Sequence, residues 1–298
     1  MKLALGIERV FGGIEAIDYK SGGRAAQESE QNREPAPTTN GRRNKRRRRG
    51  WRSGFRFDSC RHRRVLHQPE DTPDAEKRQS NLNSAGQPCY PAPVIALIDY
   101  DSGNLRSVQK ALLKVGADVR VVRRPEELNG AGAVVLPGVG AFDDCVNALR
   151  KQELLAAARG FIESGRPFLG ICVGYQALFE RSDEFNSCAQ GLGVFGGKVA
   201  RFSTVTGVKI PQIGWNQIEI RQPDCPIFRG IPSGSYVYFV HSYFPQPTDQ
   251  GIVATVTHYG EPFASSVWRG NVFATQFHPE KSQAVGLKLL SNFVALAG

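Results

Sequence analysis

The sequence lacks several things, and each absence narrows the reading. Only one methionine occurs among 298 residues, and it is Met1. No apolar run approaches the roughly 18 residues that a membrane-spanning helix needs, so no membrane partner is expected. The opening Met1-Lys-Leu-Ala-Leu-Gly-Ile7 is too short for a signal-peptide core and runs into Glu8 and Arg9. The cysteines (Cys60, Cys89, Cys145, Cys172, Cys188 and Cys225) include no CxxC pair. Without a secretory signal, that argues for reduced thiols and a cytoplasmic location. Cys60, His62, His67 and Cys89 match no zinc spacing.

Acidic residues are scarce in the first third only. Residues 1–93 hold 19 Lys+Arg against 11 Asp+Glu, whereas 94–298 hold 19 against 17. The basic balance therefore belongs to the N-terminal stretch and says little about partners of the remainder. That stretch has no sustained apolar periodicity and reads as a disordered extension. Arginines crowd residues 42–64, interleaved with Trp51, Phe55 and Phe57. This composition also occurs in nucleic-acid-binding arms, although a solvated tail is the simpler reading. Strand-like sequence starts only at Val94, and a GUG start codon there would be read internally as valine. Residues 1–93 are therefore expected to be a start-site artefact, with 94–298 as the working domain.

From Val94 the text changes character. Val94–Ile98, Asp118–Val122, Ala133–Leu136 and Pro167–Ile171 read as strands, three of them continuous apolar runs that suit a sheet buried on both faces. Leu105, Val108, Ala111, Leu112 and Val115 recur at helical spacing, and Phe142–Ser164 is helical, in one or two pieces. Asp99–Asn104 is turn chemistry that should cap the first helix. The alternation predicts an α/β fold with a mostly parallel central sheet flanked by helices, flavodoxin-like in class. Beyond Glu184 an additional β-rich portion is expected, with strands at 198–202, 208–210, 216–220, 236–240, 251–257, 264–268 and 272–276. A closing helix should span 282–296. Gly191-Leu-Gly-Val-Phe-Gly196 matches GxGxxG but precedes a strand, so it is no dinucleotide site.

The stretch that carries chemistry is Gly170-Ile-Cys172-Val-Gly174-Tyr-Gln176. A buried strand ends at a cysteine flanked two residues away on each side by glycine, and a helical pattern follows. Such a turn projects its central side chain from the sheet edge, as in the nucleophile elbow of hydrolases. A thiol nucleophile needs a base, and the base an orienter. His241, His258 and His278 lie outside the basic tail. His278 sits at a strand end in Gln276-Phe-His-Pro-Glu280, with a carboxylate two residues on. Cys172, His278 and Glu280 therefore form the candidate triad. The N–H of Val173 and the Pro137-Gly-Val139-Gly140 loop are candidate oxyanion donors.

These residues resemble the class I (triad) glutamine amidotransferases. Gly-Ile-Cys-x-Gly-x-Gln at 170–176 and Phe-His-Pro-Glu at 277–280 carry the match. More narrowly, the chain is similar to the glutaminase subunits of imidazole glycerol phosphate synthase. That likeness rests on 99–107, Pro-Gly-Val-Gly-Ala-Phe at 137–142, Ile213-Gly-Trp-Asn216, Tyr238–Tyr243 and His-Pro-Glu-Lys-Ser at 278–282. The resemblance implies glutamine as substrate, held by Gln176, Glu184, Ser242 and Tyr243. It implies ammonia transfer to a separate cyclase subunit with a (β/α)8 barrel, making a heterodimer. It implies an interface near Trp215, Asn216, Tyr238 and Lys281, and neither cofactor nor metal. It also implies an idle state in which the Val139 peptide points away from the oxyanion. Gln212 stands where many relatives carry histidine. A triad glutaminase of another synthase, or nucleic-acid binding through the tail, are the alternatives.

Overall fold

The structure, a computed structural model, describes residues 94–101, 104–204 and 207–298. The N-terminal extension and its arginine-rich segment lie outside the described residues.

The first half alternates strand and helix. Strand β1 (Val94–Ile98) leads to α1 (Leu105–Lys114), then β2 (Asp118–Val122) and β3 (Ala133–Leu136). Two helices follow, α2 (Phe142–Lys151) and α3 (Leu154–Glu163), and then β4 (Phe168–Ile171) and the single turn α4 (Val173–Gln176). Every residue of β3 and β4 is buried, which is why these strands read as unbroken apolar runs. The break between α2 and α3 falls at Glu153, which adopts a left-handed conformation (φ 59°).

The second half supplies β5 (Arg181–Ser182), β6 (Gly197–Arg201), β7 (Gln212–Gln217), β8 (Glu219–Ile220), β9 (Tyr236–His241) and β10 (Tyr243–Pro247). It closes with β11 (Val253–Tyr259), β12 (Glu261–Arg269), β13 (Val272–Thr275) and α5 (Gln283–Val294). One sheet has the order β2-β1-β3-β4-β13-β12-β11-β8. Pairing is parallel from β2 to β13 and antiparallel beyond. The β-rich portion forms two smaller sheets, β10-β6-β5 and the ribbon β7-β9. In the large sheet the chain reverses its direction of winding between β1 and β3, and α/β sheets bind ligands at such a crevice, beyond the strands' carboxyl ends.

Three expectations need correction. Residues 208–210 form no strand, and the Lys209 carbonyl instead accepts from the Tyr259 hydroxyl at 2.7 Å. The strand placed at 216–220 is two strands: β7 stays in the ribbon, and β8 joins β11 of the large sheet. Strand β10 was not expected, because Pro245 and Pro247 mask it. It is an edge strand, where proline's missing N–H does no harm.

Candidate active site

Cys172 sits between β4 and α4 with φ 55° and ψ −109°, a conformation L-residues rarely adopt. It is held there by packing. The Cys172 N–H donates to the Thr275 carbonyl of β13 at 2.8 Å, and its own carbonyl accepts from Tyr175 and Gln176. The flanking glycines are required for space: a Cβ on Gly174 would lie 2.0 Å from the Leu136 carbonyl oxygen, and one on Gly170 2.7 Å from that of Gly174. Strain held by surrounding structure is typical of functional turns. The helix expected after the cysteine is only one turn long, so its dipole contributes less than a full helix would.

His278 lies beyond β13, at the neighbouring strand end, with its side chain 1% exposed. Its Nδ1 is 2.8 Å from Glu280 Oε1, and the Glu280 side chain is fully buried. A carboxylate accepts, so Nδ1 carries a hydrogen in either charge state, and Nε2 is the nitrogen that gains or loses the second proton. Nε2 is buried and has no hydrogen-bond partner of acceptable geometry among the described residues. Burial works against a charged His278 imidazole, but the Cys172 sulfur and then Glu280 outweigh it and raise the pKa to about 10.

A residue with no predicted role here completes this end of the site. Asn104 Nδ2 donates to Glu280 Oε1 at 2.5 Å, the same oxygen that His278 uses. The expected helix cap is absent, since Asn104 makes no side-chain bond to the first turn of α1. Its side chain is spent on the Glu280 carboxylate instead. Its place just beyond the carboxyl end of β1, beside the winding reversal, was the signal that could have found it.

Cys172 and His278 open on one cavity of about 320 Å³. The other predicted residues that line it are Val139, Gly140, Val173, Gln176, Glu184, Ser242 and Tyr243, so the oxyanion and substrate sets converge. Gly138 lets the Val139–Gly140 loop approach the elbow, because a Cβ there would meet Gly174 N at 2.6 Å. Gln176 Nε2 donates to the Tyr243 carbonyl (3.1 Å) and to Gln276 Oε1 (3.2 Å), leaving its own oxygen for a ligand. Glu184 accepts from the Phe142 N–H at 2.8 Å, yet burial raises its pKa.

His241 also lines the cavity, and it is not the base. Burial drives its pKa down to about 3 from 6.5. Its neutral ring is pinned on both sides, by the Tyr243 carbonyl at 2.9 Å and by Gln212 at 3.0 Å. A carbonyl only accepts, so Nδ1 bears the hydrogen and the Gln212 amide turns its nitrogen to Nε2. A histidine kept neutral in the fold stabilises it above the unfolded pKa of 6.5, and that contribution is lost as pH falls towards 3. His278 runs the other way: its contribution is full below pH 6.5 and disappears as pH rises through about 10. Between pH 7 and 5, His241 should cost about 2 kcal/mol of unfolding free energy. Urea melts of wild type and His241→Gln at both pH values test this. An equal pH slope in the two proteins would refute it.

The predicted interface residues do not all share a surface. Trp215 pairs with Tyr238 across the β7–β9 ribbon, rings 6.0 Å apart, and Lys281 Nζ lies 5.8 Å from the Tyr238 ring. With Ile213 and Tyr236 they form an exposed, largely apolar face. Asn216 is one residue out of phase with Trp215, so it faces the other way and donates to the His258 carbonyl at 2.9 Å. The ribbon is tied to the His278 segment, because the His278 N–H donates to the Tyr238 carbonyl and the Tyr238 N–H to Ser282 Oγ.

Comparison with known proteins agrees with this geometry. The family model for glutamine amidotransferase class I matches residues 96–296. The chain is 53% identical over 206 residues to the imidazole glycerol phosphate synthase subunit HisH of Thermosynechococcus vestitus, covering 69% of this chain and 98% of that one. It is 51% identical over 205 residues to HisH of Syntrophotalea carbinolica, covering 67% and 98%. Among solved structures, PurLQS from Thermotoga maritima aligns with TM-score 0.56 at 20% identity, over 68% of this chain and 98% of that one. A putative GMP synthase component from Thermoplasma acidophilum aligns with TM-score 0.54 at 22% identity, over 70% and 95%. These last two bear on the fold alone. An elbow cysteine, a His–Glu pair at the next strand end and relatives covered almost end to end lead to one conclusion: the chain belongs to the class I glutamine amidotransferase family, in the company of the HisH subunits of imidazole glycerol phosphate synthase.

Proposed function

We propose that residues 94–298 form the working domain of the glutaminase subunit of an imidazole glycerol phosphate synthase. The observation that carries the reading is the shared cavity of Cys172 and the His278–Glu280 pair. The Cys172 sulfur attacks the side-chain carboxamide carbon of glutamine. His278 Nε2, which holds the proton given up by the thiol, passes it to the departing nitrogen, which leaves as ammonia. Water then attacks the thioester, His278 accepts its proton, and the sulfur is released with glutamate as product. Glu280 steadies the imidazolium, as the acid of a triad does. The N–H groups of Val173 and of the Val139–Gly140 segment receive the oxyanion. Glu184 and the oxygen of Gln176 suit the α-ammonium of glutamine, and Ser242 and Tyr243 the opposite wall.

The exposed ribbon face around Trp215, Tyr238 and Lys281 is the proposed dock for a cyclase subunit with a (β/α)8 barrel, to which ammonia passes. There it is used in forming imidazole glycerol phosphate and an aminoimidazole carboxamide ribotide, steps of histidine biosynthesis. The described cysteines are free thiols, in keeping with cytoplasmic work. Glutamate release should rise by about 10²–10³ when the cyclase and its nucleotide ligand are added, the worth of one oxyanion donor. An assay of residues 94–298 and of the full chain, each alone and with cyclase, tests this. No stimulation in either form would move the assignment to another synthase.

A further inference from the structure

One fully buried polar side chain beside the nucleophile has no role in the mechanism above. Gln276 follows β13 and is inaccessible to solvent. Its backbone N–H donates to the Ser265 carbonyl at 2.8 Å, which fixes the main chain against β12. Its side-chain amide reaches two groups: Nε2 is 3.7 Å from Cys172 Sγ, and Oε1 accepts from Gln176 Nε2 at 3.2 Å.

The sense of this chain follows from one atom. The Tyr243 carbonyl can only accept, so the Gln176 amide must present its nitrogen there, at 3.1 Å. The same nitrogen faces Gln276, which must therefore present its oxygen. The Gln276 nitrogen is left turned to the sulfur, with no free choice of amide orientation. Gln276 does not line the glutamine cavity, so it serves the sulfur and not the substrate.

We infer that Gln276 is a catalytic hydrogen-bond donor to the Cys172 sulfur, held in register by Gln176, and that it stabilises the thiolate before glutamine arrives. The inference rests on the reading of Cys172 as nucleophile. Hydrogen bonds to an ionised acceptor are about twice as strong as neutral ones, so the donor favours thiolate over thiol. A neutral amide does this without adding a charge to those already facing the sulfur. The titratable groups near the sulfur are His278, with Glu280 behind it, and Cys145, whose buried thiol is pushed up to about 12 and so carries no charge.

The test is alkylation of the full chain by iodoacetamide without glutamine, from pH 5 to 9, followed peptide by peptide in the mass spectrometer. Exposed Cys188 is the internal control. Gln276→Met keeps the bulk and removes the donor. It should slow Cys172 alkylation at pH 7 by about ten-fold, the effect of roughly 1.4 kcal/mol, and move its pH profile upward. The isosteric Gln276→Glu should slow it more, because a carboxylate repels the thiolate, and it carries the decision if the methionine variant does not fold. In the glutaminase assay kcat should fall with KM little changed. Wild-type alkylation of Cys172 in a folded variant would overturn the inference. Slowed alkylation in a chain that never releases glutamate would uphold it and refute the proposed function instead.

Discussion

Replacing Cys172 by alanine should lower glutamate release by a factor on the order of 10⁵ or more, with glutamine still bound at nearly wild-type Kd. In the proposed mechanism the sulfur forms the covalent bond, and no other described thiol can replace it: Cys145 and Cys225 are buried with their pKa values pushed up to about 12, Cys188 is exposed, and none of the three lines the cavity. His278→Gln should be nearly as severe, because the imidazole handles every proton transfer. The double variant should be no worse than either single one, since groups acting as one unit do not add. Glu280→Gln should cost one to two orders of magnitude less, because an orienter aligns and stabilises the base but bonds to nothing that reacts. The comparison needs single-turnover rates and a binding isotherm for each variant. If Cys172→Ala kept more than about 1% of the activity, the covalent mechanism would be lost. If it simply failed to bind glutamine, the cysteine would belong to recognition and not to chemistry.

The parts of the site that could be read in the sequence are those where one local segment carries the signal. β3 and β4 are legible because parallel strands covered on both faces must be apolar throughout. The elbow is legible because its glycines sit at fixed offsets from Cys172, and the base because Glu280 is two residues from His278. What escaped was set by tertiary pairing. Asn104 meets Glu280 across 176 positions, and Gln276 meets Cys172 across 104. No local pattern distinguishes an asparagine that caps a helix from one that holds a carboxylate; both need a polar residue just before the helix. The strands missed in the β-rich half escaped for a related reason. At an edge such as β10 prolines are tolerated and the apolar pattern is diluted. The Trp215–Tyr238 face shows the converse. Its bulky residues read as either core or interface, and only the register of β7 on β9 shows that both side chains lie on one open face and not in the core.

Gly174→Ala should be among the most damaging of the small substitutions, although it adds one methyl group at an ordinary backbone conformation. That methyl would lie 2.0 Å from the Leu136 carbonyl oxygen, and the obstacle is the backbone of a central strand, which cannot swing aside. Gly138 and Gly170 interlock at the same spot, with Cβ positions 2.6 and 2.7 Å from Gly174 N and O. Three glycines thus bring the ends of β3 and β4 and the elbow within backbone contact, and any one Cβ pushes the others apart. Overpacking of this kind should cost about 3 kcal/mol or more. In the fraction that folds, kcat should fall by at least about 10², because a shift of about 1 Å in the nucleophile loses the attack geometry. Gly160→Ala is the matched control. It lies inside α3 with nothing within 4 Å of its Cβ, and should be neutral or stabilise by up to about 1 kcal/mol. Urea melts and glutaminase rates of the two variants side by side decide the matter. Equal stability would mean that the elbow yields where the geometry says it cannot, and Cys172 would then owe its position to its own hydrogen bonds with Thr275, Tyr175 and Gln176 more than to the glycine packing around it.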